Sequence, residues 1–405
     1  MRTIATLLVL GTALAPLSAA AQATVEQGPA NAPFLEPAFA NQTRAPLPAA
    51  SPEIRAETVA SGLPQLWAME FLPDGRMIVN AKDGAMHVVG TDGSVGPALA
   101  GVPQVDARRQ GGLLDVAVSP DFETDNTVFI TYAEPREGGG NATSVASARL
   151  AVDATGAGAL EDLTVIYRQM PAYRGNAHFG SRIVFAPDGT MFVGMGDRSD
   201  RGIRGEAQDL GSGVGKVVRI NTDGSVPQDN PFVGDASAQP EIWSYGHRNI
   251  QSAVLGADGT LWTVEHGPRG GDELNRTEAG LNYGWPVITY GIEYSGAEIG
   301  GGNTQADGME QPVYYWDPVI APSGMAQYTG DAIPEWDGAL LIGGLRALGV
   351  VVLHLEDGRV VSEDRVPLGA RVRDVKVGPD GAVYAVTERR GGESTILRLT
   401  KAGAA

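Results

Sequence analysis

Between Ser244 and Pro286 the chain gathers side chains that can hold charge and move protons. Three pieces carry them: Ser244-Tyr245-Gly246-His247-Arg248-Asn249, Glu265-His266-Gly267-Pro268-Arg269-Gly270-Gly271-Asp272-Glu273-Leu274-Asn275, and Asn282-Tyr283-Gly284-Trp285-Pro286. A guanidinium, imidazoles, amides and carboxylates stand here beside Gly and Pro turns, whose backbone carbonyls can face a ligand. Oxygen donors of this kind suit a hard cation, and a guanidinium suits an anion. Earlier in the chain His178 is a candidate general base, since an imidazole accepts a proton near neutral pH. Near the C-terminus, Arg371-Val372-Arg373-Asp374 reads as strand, and alternation turns both arginines to one face, the geometry a shared anion needs. Each residue also has a plainer reading: Arg248 as a surface-loop arginine, Glu273 as a solvated carboxylate, His178 as a structural imidazole, Gln110 as a turn amide.

The elements that must position these groups are short strands. One pattern recurs, an apolar run, a turn on Pro-Asp-Gly or a variant of it, and a second apolar run. It occurs at Phe71 to Val79, Val118 to Ile130, Phe185 to Val193, Leu255 to Trp262, Trp336 to Ile342 and Val377 to Tyr384. Asp-Gly between alternating apolar runs marks a hairpin, because glycine supplies the positive φ of a tight turn. A hairpin unit repeated along a chain is the signature of a β-propeller, one unit per blade, so the reading is an all-β, six-bladed β-propeller. Gly at 55 of 405 residues agrees with many turns. Three inserts, Arg198 to Gly215, Pro231 to Gln239 and Ser295 to Gln311, are long enough to be expected as functional loops.

Met1-Arg2-Thr3, the apolar run Ile4 to Ala15 and Ala21-Gln22-Ala23 have the order of a secretion signal, expected over residues 1–23. The run is well short of the ~20 residues that span a bilayer, and no later segment is apolar enough. A single arginine precedes it, so a twin-arginine signal is absent and export in unfolded form is expected, with any cofactor acquired in the periplasm or outside the cell. Residues 24–51, rich in Ala and Pro, are expected as a mobile leader, and residues 52–405 as the propeller. The chain contains no cysteine, which excludes thiolate chemistry, Cys-bound zinc, Cys-ligated iron–sulfur clusters and covalent c-type haem. A formal charge of −18 disfavours nucleic acid and anionic membranes as partners. No glycine-rich strand-to-helix phosphate loop is present, which argues against a nicotinamide cofactor.

Six motifs in unbroken order between Leu63 and Glu388 carry a resemblance: Gln110-Gly111-Gly112-Leu113-Leu114-Asp115, His178-Phe179-Gly180-Ser181-Arg182, Gly215-Lys216-Val217-Val218-Arg219-Ile220, Tyr245-Gly246-His247-Arg248-Asn249, His266-Gly267-Pro268 with Asp272-Glu273-Leu274-Asn275, and Asn282-Tyr283-Gly284-Trp285-Pro286. Together they resemble the soluble pyrroloquinoline-quinone (PQQ)-dependent aldose sugar dehydrogenases. The resemblance implies a six-bladed propeller that holds the flat tricarboxylate quinone over one end of its channel with calcium (Ca2+) beneath and sugar above. It implies oxidation of the anomeric hydroxyl of an aldose to a lactone, with electrons passed on to a diffusible acceptor. His178 matches the general base. Arg248 matches the residue that stabilises charge developing on the quinone, Asn249 a cofactor contact, and Gln110 a residue near the reacting carbonyl. Arg371 and Arg373 match a pair that grips cofactor carboxylates, and Arg346 stands where some members have a lysine near the quinone. Gly267 and Pro268 match carbonyl ligands of the cofactor-bridging calcium. Glu273 and Tyr283 match ligands of a second calcium, by carboxylate and by carbonyl. Tyr294, Tyr314 and Trp316 are candidates to stack on cofactor or sugar, or blade core residues. At one position the chain departs from the pattern: Ala177 stands where glucose-specific members carry an acidic residue that contacts sugar.

Two other functions share the fold. A calcium-dependent propeller lactonase would use a metal and a histidine but has no use for Arg248, Arg371 and Arg373 together. A non-enzymatic propeller binding glycans or proteins would be indifferent to His178. The sequence leaves open the physiological sugar, the acceptor, and monomer against homodimer.

Overall fold

The computed structural model describes residues 23–403; the expected signal segment, apart from Ala23, lies outside the described residues. Twenty-three strands form six antiparallel sheets, and helix is confined to one turn at Phe122–Asp125 and three short 3-10 turns. The sheets are the blades of a six-bladed β-propeller. Their innermost strands are, in chain order, Leu66–Phe71, Leu113–Val118, Gly180–Phe185, Ile250–Leu255, Pro322–Gln327 and Arg371–Val377. The first packs on the last as well as on the second, so the ring is closed. Five blades have four strands and the first has three.

Each repeat read from the sequence is the first hairpin of one blade. In the third blade Gly189 N–H donates to the Ala186 carbonyl (3.0 Å) and Ala186 N–H to the Thr190 carbonyl (2.8 Å). Asp188 Oδ1 accepts from Thr190 N–H (3.0 Å), and Gly189 takes a φ of 84° that a β-branched residue would resist. Because the meander starts at the centre, each such turn lies at the C-terminal end of an inner strand.

Closure comes from the N-terminal strand Ile54–Leu63, which pairs antiparallel with Ser394–Lys401 and completes the sixth blade. Apolar side chains alternate along the strands and fill the seams between blades. Trp67, Ile78 and Val88 of the first blade meet Leu113, Ile130 and Ala146 of the second, and comparable clusters sit in the other five seams.

The Ala/Pro-rich segment is not the mobile leader the sequence suggested. It lies as a strap along the outer edges of the fourth and fifth blades. Asp317 accepts from Asn31 N–H (2.7 Å) and Ala32 N–H (2.8 Å), Tyr315 N–H donates to the Gln42 carbonyl (2.8 Å), and Glu363 N–H to the Pro46 carbonyl (3.0 Å). Ala32, Gln42 and Ala45 are buried. The strap satisfies backbone groups that edge strands would otherwise expose.

Candidate active site

The N-terminal ends of the inner strands converge on a cavity of about 640 Å³. Leu66, Trp67, Leu114, Gly180, Gln251, Arg371 and Arg373 reach it from the strands, and Asn249 and Ala321 from the residues just before them. Its charge is opposite to that of the chain. Lys82, Arg109, Arg371, Arg373 and Arg390 line it against a single carboxylate, Glu388, in a protein with 48 acidic and 30 basic residues. Arg371 donates to Glu388 Oε1 from Nε and Nη2 (3.0 and 2.9 Å), and Arg373 donates to the same oxygen from Nη2 (3.1 Å). The two arginines therefore do share a face and an anion. Burial would raise the Glu388 carboxyl, but Arg373 and its other donors hold it below its usual value. Burial and the Arg373 charge push Lys82 below the usual lysine range. The cavity is short of anions.

His178 sits beside this wall with a left-handed φ of 50° and is almost fully buried. Its N–H donates to Gln110 Oε1 (2.8 Å), and its Nδ1–H to Asp197 Oδ1 (2.6 Å). Asp197 is itself fixed by Trp285 Nε1–H on Oδ2 (2.7 Å) and Ser199 N–H on Oδ1 (2.8 Å). The Nδ1 bond sets the tautomer and leaves Nε2 with its lone pair. Burial pushes the imidazole below its ordinary value against the pull of Asp197, so it is neutral near neutral pH. Burial would raise Asp197, but the histidine alongside keeps it below the usual carboxylate range. Gly196 makes this approach possible, since a Cβ there would stand 2.2 Å from the His178 carbonyl oxygen. Arg198 braces the preceding loop, donating to the carbonyls of Ala177 (3.2 Å) and Gly175 (3.0 Å) while lying 4.2 Å over the Phe179 ring.

Arg248 is buried over Trp285 (5.1 Å), with Nη1–H shared between the His266 and Gly267 carbonyls (2.6 Å each). Its Nε is buried without a hydrogen-bond partner. Asn249 Oδ1 accepts from Gly180 N–H (3.2 Å). A second, small cavity of about 10 Å³ lies under Arg248, lined by Glu265, Gly267, Glu273 and Tyr283 among others. It has room for one water-sized particle. Burial and the neighbouring Glu265 charge push the Glu273 carboxyl well above its ordinary value. Among the described residues no three His, Asp or Glu side chains converge as a cage, so a cation here would take backbone oxygens as well. The Pro268 carbonyl accepts no hydrogen bond from the described residues.

The structure thus brings Gln110, Asn249, Arg371 and Arg373 to one cavity, sets His178 just behind its lining against Gln110, and gathers Arg248, Gly267, Glu273 and Tyr283 around the small one, joined to the first through His266. Tyr294 stands at the cavity rim, 73% exposed. Arg346 is exposed and absent from the lining, where its neighbour Leu345 takes the place. Tyr314 and Trp316 are fully buried and pack edge to face at 5.2 Å in the seam between the fourth and fifth blades, so neither reaches a ligand. The inserts Arg198 to Gly215 and Ser295 to Gln311 meet at Trp285 through Ala207 and Ile299; Pro231 to Gln239 does not touch the cavity lining. Sequence reasoning missed Asp197 and Glu388. Both end the second strand of a blade or follow it closely, on the cavity side, which is the one signal that could have singled them out.

Fold and cavity together define a six-bladed propeller with a cationic, histidine-bearing site at the mouth of its channel. The family model for glucose/sorbosone dehydrogenases matches residues 63–398, and the chain belongs to that family. It is 39% identical over 350 residues to aldose sugar dehydrogenase YliI of Escherichia coli, covering 85% of this chain and 93% of that one. The crystal structure of the soluble E. coli aldose sugar dehydrogenase in its apo form superposes with a TM-score of 0.81 at 38% identity, over 86% of this chain and 100% of that one. The PQQ-bound aldose sugar dehydrogenase of Streptomyces coelicolor gives 0.72 at 28% identity, over 87% and 99%.

Proposed function

We propose that this protein is a PQQ-dependent dehydrogenase that oxidises aldose sugars at the anomeric hydroxyl to lactones. The observation that carries the reading is the cavity's surplus of cations around one carboxylate, which fits a planar tricarboxylate and has no use in a lactonase or a glycan-binding propeller. The partnerless Arg248 Nε fits the same group, as a buried donor awaiting an acceptor. When bound, the quinone supplies a two-electron acceptor for the hydride of the anomeric carbon. Arg371 and Arg373 would hold cofactor carboxylates, Asn249 would contact the cofactor, and Arg248 would place positive charge where negative charge develops. His178 Nε2 would take the hydroxyl proton as the carbon gives up its hydride, closing the C=O of the lactone, and would release that proton to solvent. Gln110 fixes the backbone of that histidine and, lining the cavity, would meet the substrate.

Calcium fits the carbonyls of Gly267 and Pro268, where it would act as a Lewis acid, and a second ion fits Glu273 with the Tyr283 carbonyl. The support is chemical: oxygen donors, and a Glu273 carboxyl buried beside Glu265 with only Asn275 Nδ2 donating to both (3.3 and 3.1 Å). Export to the periplasm or medium rests on residues 1–23. No helix among the described residues is long and apolar enough to cross a membrane.

The test is to add calcium and PQQ to the cofactor-free protein, follow the visible spectrum, then add single aldoses with a redox dye. Binding should perturb the quinone bands, and a sugar should bleach them and reduce the dye. Verified cofactor binding with no response across a broad sugar panel would overturn the reading.

A further inference from the structure

Electrons that enter this site must leave it, and the charges around the mouth indicate what collects them. Most arginines of the chain are paired with carboxylates. A separate set is exposed and makes no ion pair with any described residue: Arg109, Arg174, Arg269, Arg346, Arg359, Arg389 and Arg390. Six of the seven share one side; Arg359, beside the turn at Asp357 and Gly358 on the other, lies 4.2 Å over the Phe39 ring. Arg109 and Arg390 line the cavity. Arg174 precedes His178 in the loop before the third inner strand, Arg269 follows Pro268, Arg346 follows the cavity residue Leu345, and Arg389 adjoins Arg390. All six ride on loops at the cavity end of the ring, contributed by several blades.

The opposite end is acidic by construction. Asp74, Asp121, Asp188, Asp258, Asp337 and Asp380 sit in the first hairpin turns of successive blades, at the far ends of the inner strands; Asp74, Asp188 and Asp380 pair with Arg76, Arg219 and Arg398, while Asp121, Asp258 and Asp337 make no ion pair with any described residue. A chain of formal charge −18 is therefore electrically polarised along the propeller axis, with arginines around the site and aspartates at the base. Such a field turns an approaching anion toward the cavity face. Two of the few exposed large apolar side chains, Tyr294 (73%) and Leu348 (43%), lie on the same face, at the cavity rim and in the loop of Arg346. Arginine with exposed aromatic and aliphatic groups is the composition of a protein-binding surface.

We propose that the cavity face docks an acidic electron-transfer protein. The occupant is a protein rather than a small anion because Arg174, Arg269, Arg346 and Arg389 are outside the cavity lining and exposed; they can meet only something that lies across the mouth. The inference rests on the dehydrogenase reading for its electron source. Each sugar oxidised to a lactone releases two electrons and two protons. Two molecules of a one-electron carrier take the electrons in turn, and both protons go to solvent.

The experiment has two arms. In the first, binding of an acidic soluble cytochrome to the protein without cofactor is measured at rising salt, with a basic cytochrome c as control. The acidic probe should bind at low salt and lose affinity about tenfold or more as the Debye length shrinks from ~30 to ~8 Å, and the double variant Arg174→Glu/Arg389→Glu should lose it at low salt. In the second, enzyme already saturated with cofactor reduces either the acidic cytochrome or an uncharged dye. The variant should slow the cytochrome about tenfold and leave dye turnover within about twofold. Acidic-probe binding that strengthens with salt, or a variant indistinguishable from the parent with the cytochrome, would overturn the proposal. So would an effect confined to cofactor loading, which would make the ring a trap for the anionic cofactor. Failure of dye turnover in the parent would instead strike the dehydrogenase reading, and the binding arm would still decide the docking surface.

Discussion

His178 illustrates how much of its chemistry comes from a neighbour. A lone imidazole can serve as a base in either tautomer, and it is Asp197, held by Trp285 and Ser199, that places the proton on Nδ1 and frees Nε2. Asp197→Asn should lower kcat by about 10²- to 10⁴-fold through the wrong tautomer, with cofactor titration unchanged because the Asp197 oxygens are engaged by His178, Ser199 and Trp285. The pH profile separates this from a structural defect. Burial already sets the folded His178 below 6.5, so the acid limb of kcat/KM should fall below that pH. Asp197 raises the histidine, so its replacement should move the limb lower still. A kcat loss with an unmoved limb would count against the orienting role. Arg373 makes a different demand. Arg373→Gln should weaken cofactor binding by about tenfold, the effect of one charge-assisted contact in a partly wet cavity, and a spectroscopic titration should show it while kcat at saturating cofactor changes less. The affinity should not drop if Glu388 alone occupies that arginine.

At the scale of elements, the hairpins were the legible part. Asp-Gly turns act through their own backbone, as Asp188 and Gly189 do, so local sequence carries the whole instruction. The six units of the sequence fall in order on the six blades. The strap over residues 23–47 was illegible for the opposite reason: its partners Asp317, Tyr314 and Glu363 lie 269 residues or more away, and an Ala/Pro composition without periodicity reads as mobile whether or not distant acceptors exist. The same logic divides the site. His178, Arg248 and the Arg371/Arg373 pair stand in recognisable motifs. Asp197 and Glu388 become site residues only when loops and blades close over them, and Tyr314 and Trp316 are aromatic for the seam rather than for a ligand. The strap is testable. Asp317→Ala removes the acceptor of two backbone N–H groups, one at the buried Ala32. The loss should be about 1–3 kcal/mol in urea unfolding, with new protease cleavage inside residues 24–47. Arg44 still donates to the Asp317 carbonyl, so the strap should loosen rather than leave. Unchanged stability with an uncleaved strap would show that Asp317 is not its anchor.

For the molecule as a whole, the ring must hold its inner strands in register around a channel that no backbone ladder crosses from sheet to sheet. Arg182, buried on the third blade, donates to Asp115 Oδ1 on the second (2.6 Å) and Asp374 Oδ1 on the sixth (3.2 Å), and lies 4.9 Å from the Trp67 ring of the first. Asp374 Oδ2 also accepts from Met69 N–H (3.0 Å). A single guanidinium therefore ties the blades that begin and end the ring, directly beneath the cavity. Arg182→Met keeps the apolar stem and strands two buried carboxyls, a loss expected at about 3–5 kcal/mol. Its pH dependence identifies the cause. Burial raises Asp115 from 3.8 to about 6 even with Arg182 present. A raised carboxyl contributes stability that is fully present below 3.8 and lost as pH rises through about 6. Without the arginine the folded value climbs further, so the penalty of the variant should be largest under alkaline conditions and shrink on acidification, when Asp115 binds a proton. Urea midpoints of parent and variant at about pH 8 and pH 5 measure it. Adding Asp115→Asn should recover part of the loss at the higher pH and little at the lower. A gap independent of pH would mean that Arg182 holds the ring by packing against Trp67, and that the ion pairs at the centre of the channel are incidental to closure.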